Sequence, residues 1–137
     1  MMPPVRVIDS WALLAWLRRE PSAPRVREIL TAAELGRVKL LMSWINAGEV
    51  YYMLVRKNNA KAAEEYPEHL PSLPIRLVIP TGDDVIAAAK LKATRRISYA
   101  DGSAAARAAR EGASLVTGDP ELRKMTDVLT VEWLGAD

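Results

Sequence analysis

Short β-branched and aliphatic runs alternate along the chain with longer segments in which apolar residues recur at helical spacing. "VRVID" (5–9) reads as a strand ending in an acid, and "SWALLAWLRRE" (10–20) as a helix apolar on most sides. In "APRVREILTAAELG" (23–36), Val26, Ile29, Leu30 and Ala33 share one helical face and Gly36 supplies a left-handed stop. "VKLLMS" (38–43) predicts a strand, "WINAGEVYYMLVRK" (44–57) a helix apolar around most of its circumference, and "AKAAEEYPEHL" (60–70) a more solvated helix ended by prolines at 67, 71 and 74. "IRLVI" (75–79) is a third strand. Asp83 and Asp84 open a helix carrying Val85, Ile86, Ala89 and Leu91, and another runs from about Ser98 to Gly112. "SLVT" (114–117) and "VLTV" (128–131) complete five strands.

Strands separated by helices pair in parallel through right-handed crossovers, with helices on both faces. The expectation is therefore a three-layer α/β/α sandwich around a five-stranded, mostly parallel sheet. Ligands of such sheets collect beyond the carboxyl ends of the strands, where the strand order reverses. With 137 residues, no internal repeat and no linker, residues 1–137 are expected to form a single domain.

Composition narrows the chemistry. Nineteen basic against 17 acidic side chains give a net charge of only +2, far from a polybasic nucleic-acid binder, so an anionic partner must be held locally. The absence of cysteine excludes disulfides, zinc ribbons, thiol catalysis and iron–sulfur clusters, and suits a cytoplasmic protein. "MMPPVRVIDS" has no export-signal pattern, and the most apolar run, about Leu40 to Val55, is broken by Glu49, so no membrane association is expected.

Four acids stand at informative places. Asp9 ends the first strand, Asp119 the fourth, Asp101 lies in the first turn of a helix, and Glu49 is mid-helix. Three have sufficient local explanations. Asp9 before Ser10 caps a helix, "SYAD" places Ser98 and Asp101 in a capping box, and Asp119 before Pro120 is a cap with proline at the first helical position. Glu49 is different, because Val50, Tyr51, Tyr52, Met53, Leu54 and Val55 follow it. A carboxylate buried there has to be paired, protonated or bound to a cation. Asn46, one turn earlier, is placed to hold it by hydrogen bonding.

Capping explains each acid singly but not four together. If they converge, a hard divalent cation relieves their repulsion, and Mg2+ or Mn2+ is the expected ion. Ser10, Asn46 and Thr117 lie beside the acids and are expected to orient them, against the plainer reading of each as a cap or turn bond. Lys90, Lys92, Arg95 and Arg96 precede the third acid and are candidate phosphate contacts, against the plainer reading of a solvated helix face. The only histidine, His69, lies in a polar, proline-flanked segment, which excludes a mechanism using paired histidines.

At these residues the sequence resembles the PIN-domain nucleases, and among them the VapC-type toxins of toxin–antitoxin pairs. "VIDSWALLAWL" is similar to the opening strand, acid and helix of that family, "INAGEVYY" to its helix-borne glutamate, "ISYADGSAAA" to its third acid and "LVTGDPEL" to its fourth. The resemblance implies a metal-dependent ribonuclease in which Asp9, Glu49, Asp101 and Asp119 hold one or two Mg2+ or Mn2+ ions. It also implies a homodimer inhibited by a cognate VapB-like antitoxin. Two departures stand out: Gly102 and Ser103 follow the third acid where a bulky apolar residue is common, and Trp11 replaces a small hydroxyl residue, leaving Ser10 to support Asp9.

Two alternatives stay open on sequence: a PIN nuclease of RNA processing without an antitoxin, and a catalytically silent PIN-like binding module. A receiver domain needs an acidic pair after its first strand and a lysine after its last, and "VIDSW" and "TVEWL" offer neither. A dinucleotide-binding fold needs a glycine-rich first turn, which "DSWALL" lacks.

Overall fold

The computed structural model describes residues 2–136. Among them, five strands, β1 (Val5–Ile8), β2 (Lys39–Ser43), β3 (Arg76–Val78), β4 (Ser114–Thr117) and β5 (Val131–Trp133), form one sheet in the order β3-β2-β1-β4-β5. Every pairing is parallel, with Val7 opposite both Leu41 and Leu115. Seven α-helices fill the connections: α1 (Ser10–Leu17), α2 (Ala23–Glu34), α3 (Trp44–Arg56), α4 (Ala60–His69), α5 (Gly82–Thr94), α6 (Tyr99–Glu111) and α7 (Pro120–Arg123).

Successive residues of a strand face opposite sides of a sheet, and the two cores divide on that period. Ile8, Leu40, Met42 and Val116 point to one side, where α1 to α4 cover them with Leu13, Val26, Ile29, Val50 and Leu54. Val7, Leu41 and Leu115 point to the other, against Ala104, Ala105 and Ala108 of α6 with Leu122 and Met125. The central strands are apolar on both faces because both are covered. This is the expected three-layer α/β/α architecture.

The alanines of α6 allow α5 to approach closely. A Cβ on Gly102 would lie 2.9 Å from the carbonyl oxygen of Ala88, so the glycine after Asp101 is what the α5–α6 contact requires. The same pair of helices is tied by Asp84, which accepts from Arg107 at 2.5 Å and from Arg110. Asp84 also closes a capping box with Thr81 at the start of α5.

Three details depart from the sequence expectations. The fifth strand spans 131–133, not 128–131: a 3-10 turn over the buried Met125 takes up the preceding residues, leaving Val128 exposed, and the ladder begins where Thr130 accepts Leu115 N at 2.8 Å. Helix α4 runs through Pro67 to His69, losing one backbone donor but held by buried Tyr66, whose hydroxyl donates to Ala47 O at 2.9 Å. Helix α3 is not enclosed: Asn46, Ala47, Val50 and Leu54 are buried, but Trp44, Ile45, Tyr51, Tyr52 and Val55 face outward. Among the described residues no helix is long and apolar enough to cross a membrane.

Candidate active site

The chain runs from β1 to β2 to β3 on one side of the sheet and from β4 to β5 on the other, so the strand order reverses between β1 and β4. Crossovers leave from there in opposite directions and open a crevice at the carboxyl ends. Asp9 follows β1 and Asp119 follows β4, so both acids emerge at the reversal.

Asp9 is 1 % exposed and both its oxygens are engaged. Oδ1 accepts Ala12 N at 2.9 Å as the α1 cap, and Oδ2 accepts the hydroxyl of Thr117. Thr117 Oγ1 in turn accepts Asp119 N at 3.0 Å. Asp119 Oδ1 accepts Glu121 N at 2.9 Å, capping α7. The capping readings of Asp9 and Asp119 are therefore correct as local chemistry, without exhausting what these carboxylates do.

For Asp101 the capping box is only half formed. Ser98 Oγ accepts Asp101 N at 3.0 Å, but the carboxylate is not part of the cap. It is 6 % exposed and lines a cleft of about 330 Å³ with Ser10, Trp11, Glu49, Asp119 and Glu121. Ligand oxygens of Asp101, Asp119 and Glu121 lie within 4.8 Å of one another. Glu49 reaches the cleft half-buried, its Oε2 accepting from Tyr52 Oη at 3.0 Å. Asp9 lies directly behind, close enough to feel the charges of Asp119 and Glu49.

Among the described residues no ion pair involves these five acids. Burial, which penalises the charged form, pushes Asp9 up to about 7, against the bonds from Thr117 and Ala12 that favour ionisation. Burial also pushes Asp101 up to about 8, with the hydrogen bond to Asp119 and the charges of Asp119, Asp9 and Glu49 adding to it. Without a cation, burial and the neighbouring carboxylates favour the protonated form of Asp101. The donors are all hard oxygens, crowded and engaged in no ion pair among the described residues, and this set fits a divalent cation of the Mg2+ or Mn2+ type.

The neighbours expected to orient the acids are arranged differently from their sequence reading. Asn46 does not hold Glu49; its Nδ2 donates to Ser10 Oγ at 3.2 Å and to Ala100 O at 3.0 Å, bracing α3 between the chain beside Asp9 and the chain beside Asp101. Its buried Oδ1 has no partner. Ser10 Oγ donates to Asn46 O at 3.0 Å, so the support of Asp9 comes from Thr117 and the Ala12 amide rather than from Ser10. Trp11 walls the cleft, and its ring fills the space at Gly118 where a Cβ would stand.

The cations ahead of the third acid differ in their surroundings. Lys92 Nζ donates to Ile97 O at 2.9 Å, Arg95 binds Asp127 through two bonds of 3.1 and 2.6 Å, and Lys90 lines a separate groove between α5 and α6. Arg96 remains exposed and lines a pocket beside the cleft with Lys124. Sequence reasoning missed Glu121 and Lys124. The signal for Glu121 was its place two residues past Asp119 in "GDPEL", in the first turn of the helix that Asp119 caps.

A sheet of this order with acids at the β1/β4 reversal defines a class, and the sequence places the chain within it: the PIN-domain family model matches residues 6–128, and the chain belongs to that family. No curated protein matches it by sequence. Solved structures share the fold. VapBC2 from Rickettsia felis, bound to a DNA fragment from its promoter, has a TM-score of 0.71 at 16% identity, covering 97% of this chain and 99% of that one. VapC20 of Mycobacterium tuberculosis, a sarcin–ricin loop cleaving toxin, has a TM-score of 0.74 at 16% identity over 88% and 94%. FitAcB from Neisseria gonorrhoeae has a TM-score of 0.67 at 20% identity over 92% and 95%. The fold is thus that of the VapC toxins.

Proposed function

We propose that the chain is a metal-dependent endoribonuclease and the toxin of a VapBC-type pair, working in the cytoplasm as one PIN domain over residues 1–137. The observation that carries this reading is the convergence of Asp101, Asp119 and Glu121 in a cleft that Glu49 lines and Asp9 backs, with none of the five in an ion pair among the described residues although Lys57 also lines the cleft. The family supports nuclease chemistry, and the antitoxin complexes among the structural neighbours support a VapB-like partner.

In this reading Asp101, Asp119 and Glu121 would hold a Mg2+ or Mn2+ ion, with Asp9 and Glu49 completing the site directly or through water. Such an ion supplies easier deprotonation of water and neutralises charge on the phosphodiester. The chain's own contribution is preorganisation. Thr117 sets Asp9 and the Asp119 backbone in one register, Asn46 ties α3 to the start of α6, and Asp9 and Asp101 would be held in their charged form by a bound cation. Attack by water in line with the leaving oxygen yields 5′-phosphate and 3′-hydroxyl ends. A 2′,3′-cyclic phosphate product contradicts it.

The homodimer belongs to the same proposal, and its candidate contacts are the outward apolar side chains Trp44, Ile45, Tyr51 and Val55 of α3 and Val85 and Ile86 of α5. The test of the function is purified protein with total RNA, in Mg2+, in chelator, and as Asp101→Asn. Cleavage is expected in the first condition alone, and cleavage that survives chelation removes the metal mechanism.

A further inference from the structure

Beside the acidic cleft lies a second depression, of about 410 Å³, lined by Arg95, Arg96, Ile97, Glu121, Lys124 and Met125. Glu121 lines both, so the two depressions are neighbours across its side chain. The floor is apolar, with Ile97 and Met125 4 % and 1 % exposed. The rim is cationic. Arg95 is neutralised by Asp127, but the side chains of Arg96 and Lys124 make no ion pair or hydrogen bond among the described residues, which leaves two uncompensated positive charges against Glu121.

The rim is also rigidly placed relative to the acids. Ile97 N donates to Arg95 O at 3.0 Å and Lys92 Nζ caps Ile97 O at 2.9 Å, pinning the chain at Arg96 immediately before the Ser98 cap of the helix bearing Asp101. Lys124 closes α7, the helix opened by Asp119. The two cations are therefore fixed to the same two segments that carry the central acids.

We propose that this pocket seats a backbone phosphate of single-stranded RNA, next along the strand from the one in the acidic cleft, with Arg96 and Lys124 as its ligands. The choice of RNA rests on the ribonuclease reading. A cleft of carboxylates repels a polyanion, and the net charge of +2 supplies no general attraction, so the strand needs a local anchor. Contacts to phosphate position a strand without reading its sequence, so Arg96 and Lys124 set the register of the scissile bond and leave base preference to other residues.

The test uses the full chain with a fluorescein-labelled single-stranded oligoribonucleotide. Binding is followed by anisotropy in chelator across a salt series, and cleavage is followed in Mg2+. The Arg96→Ala/Lys124→Ala double variant is expected to weaken binding and raise KM by about tenfold or more, with kcat within about twofold. The slope of log affinity against log salt should fall by about 1.4. Arg96→Lys/Lys124→Arg should restore the slope, which a folding defect does not. Removing two distant charges, Arg37→Ala/Lys61→Ala, should leave KM and slope at parental values. Unchanged affinity and slope in the first double variant, equal loss in the distant pair, or no RNA binding by the parent overturns the proposal. If the parent binds RNA with the expected slopes but does not cleave it in Mg2+, the ribonuclease reading fails and the phosphate seat stands.

Discussion

Thr117 Oγ1 donates to Asp9 Oδ2 and accepts the backbone N–H of Asp119, so one hydroxyl at the end of β4 sets the acid that follows β1 and the acid that follows β4. Thr117 is fully buried, and an apolar substitute leaves a carboxylate oxygen and an amide without partners. Thr117→Val is expected to destabilise the fold by about 2 kcal/mol and to lower RNA cleavage, while Thr117→Ser retains most of both. Urea denaturation beside the cleavage assay measures the pair; equal stability of the two variants contradicts this role.

The proton held in the cleft predicts how stability depends on pH. Asp9 and Asp101 rise from an ordinary 3.8 to about 7 and about 8 in the folded chain, chiefly through burial. Between those limits the folded state binds more protons than the unfolded one, so their contribution is full below about pH 4 and is lost as pH climbs through 7 and 8. Asp84 does not offset this. Burial raises it, but the Thr81 amide and Arg110 and Arg107 lower it further, so its contribution changes only in acid. The melting temperature in chelator should fall from pH 5 to pH 8, and added Mn2+ should stabilise the protein more at pH 8 than at pH 5. Asp101→Asn should flatten both trends. A metal-free melting temperature that rises over this range contradicts the assignment.

Much of this was legible in the sequence, for identifiable reasons. Strands β1 and β4 carry Val7, Ile8, Leu115 and Val116 buried on opposite faces of the sheet, and the acids after them mark the strand ends directly. The fifth strand was read too early because "VLTV" is as apolar as a strand, whereas the preceding turn is dictated by the burial of Met125, which local pattern does not show. Glu49 stands out in the sequence on the premise of an enclosed helix, but Val50 and Leu54 are buried while Tyr51, Tyr52 and Val55 are exposed. Glu121 escaped notice because an exposed acid in a helix's first turn is ordinary dipole chemistry; only the tertiary approach of Asp101 gives it a second meaning.

Trp11 and Gly118 form a matched pair. A Cβ at Gly118 would lie 2.2 Å from Cη2 of Trp11, so alanine there displaces the indole that walls the cleft. Gly118→Ala is expected to cost about 1–3 kcal/mol and most of the cleavage activity. Adding Trp11→Leu should recover part of the stability, and a double variant no more stable than Gly118→Ala alone shows that the ring is not the obstacle.

Glu121→Gln keeps the shape of the side chain and removes its charge. The affinity for Mn2+, followed by titration calorimetry, should fall about tenfold or more without loss of thermal stability in chelator. Parental affinity assigns the cation to the remaining acids alone.

The exposed apolar side chains of α3 and α5 predict a dimer by light scattering at micromolar concentration. Trp44→Glu with Val85→Glu should yield monomers that retain the near-ultraviolet spectrum of a folded chain. A dimer that persists in this variant places the interface elsewhere.

The central claim is that the acids at the β1/β4 reversal form a cation site, and a crystal soaked in Mn2+ tests it most directly. The account predicts an anomalous peak bonded by carboxylate oxygens of Asp101 and Asp119, with Glu121 and Glu49 beside it, and no such peak in Asp101→Asn crystals. An empty cleft at saturating Mn2+, or an unchanged peak in the variant, would contradict it.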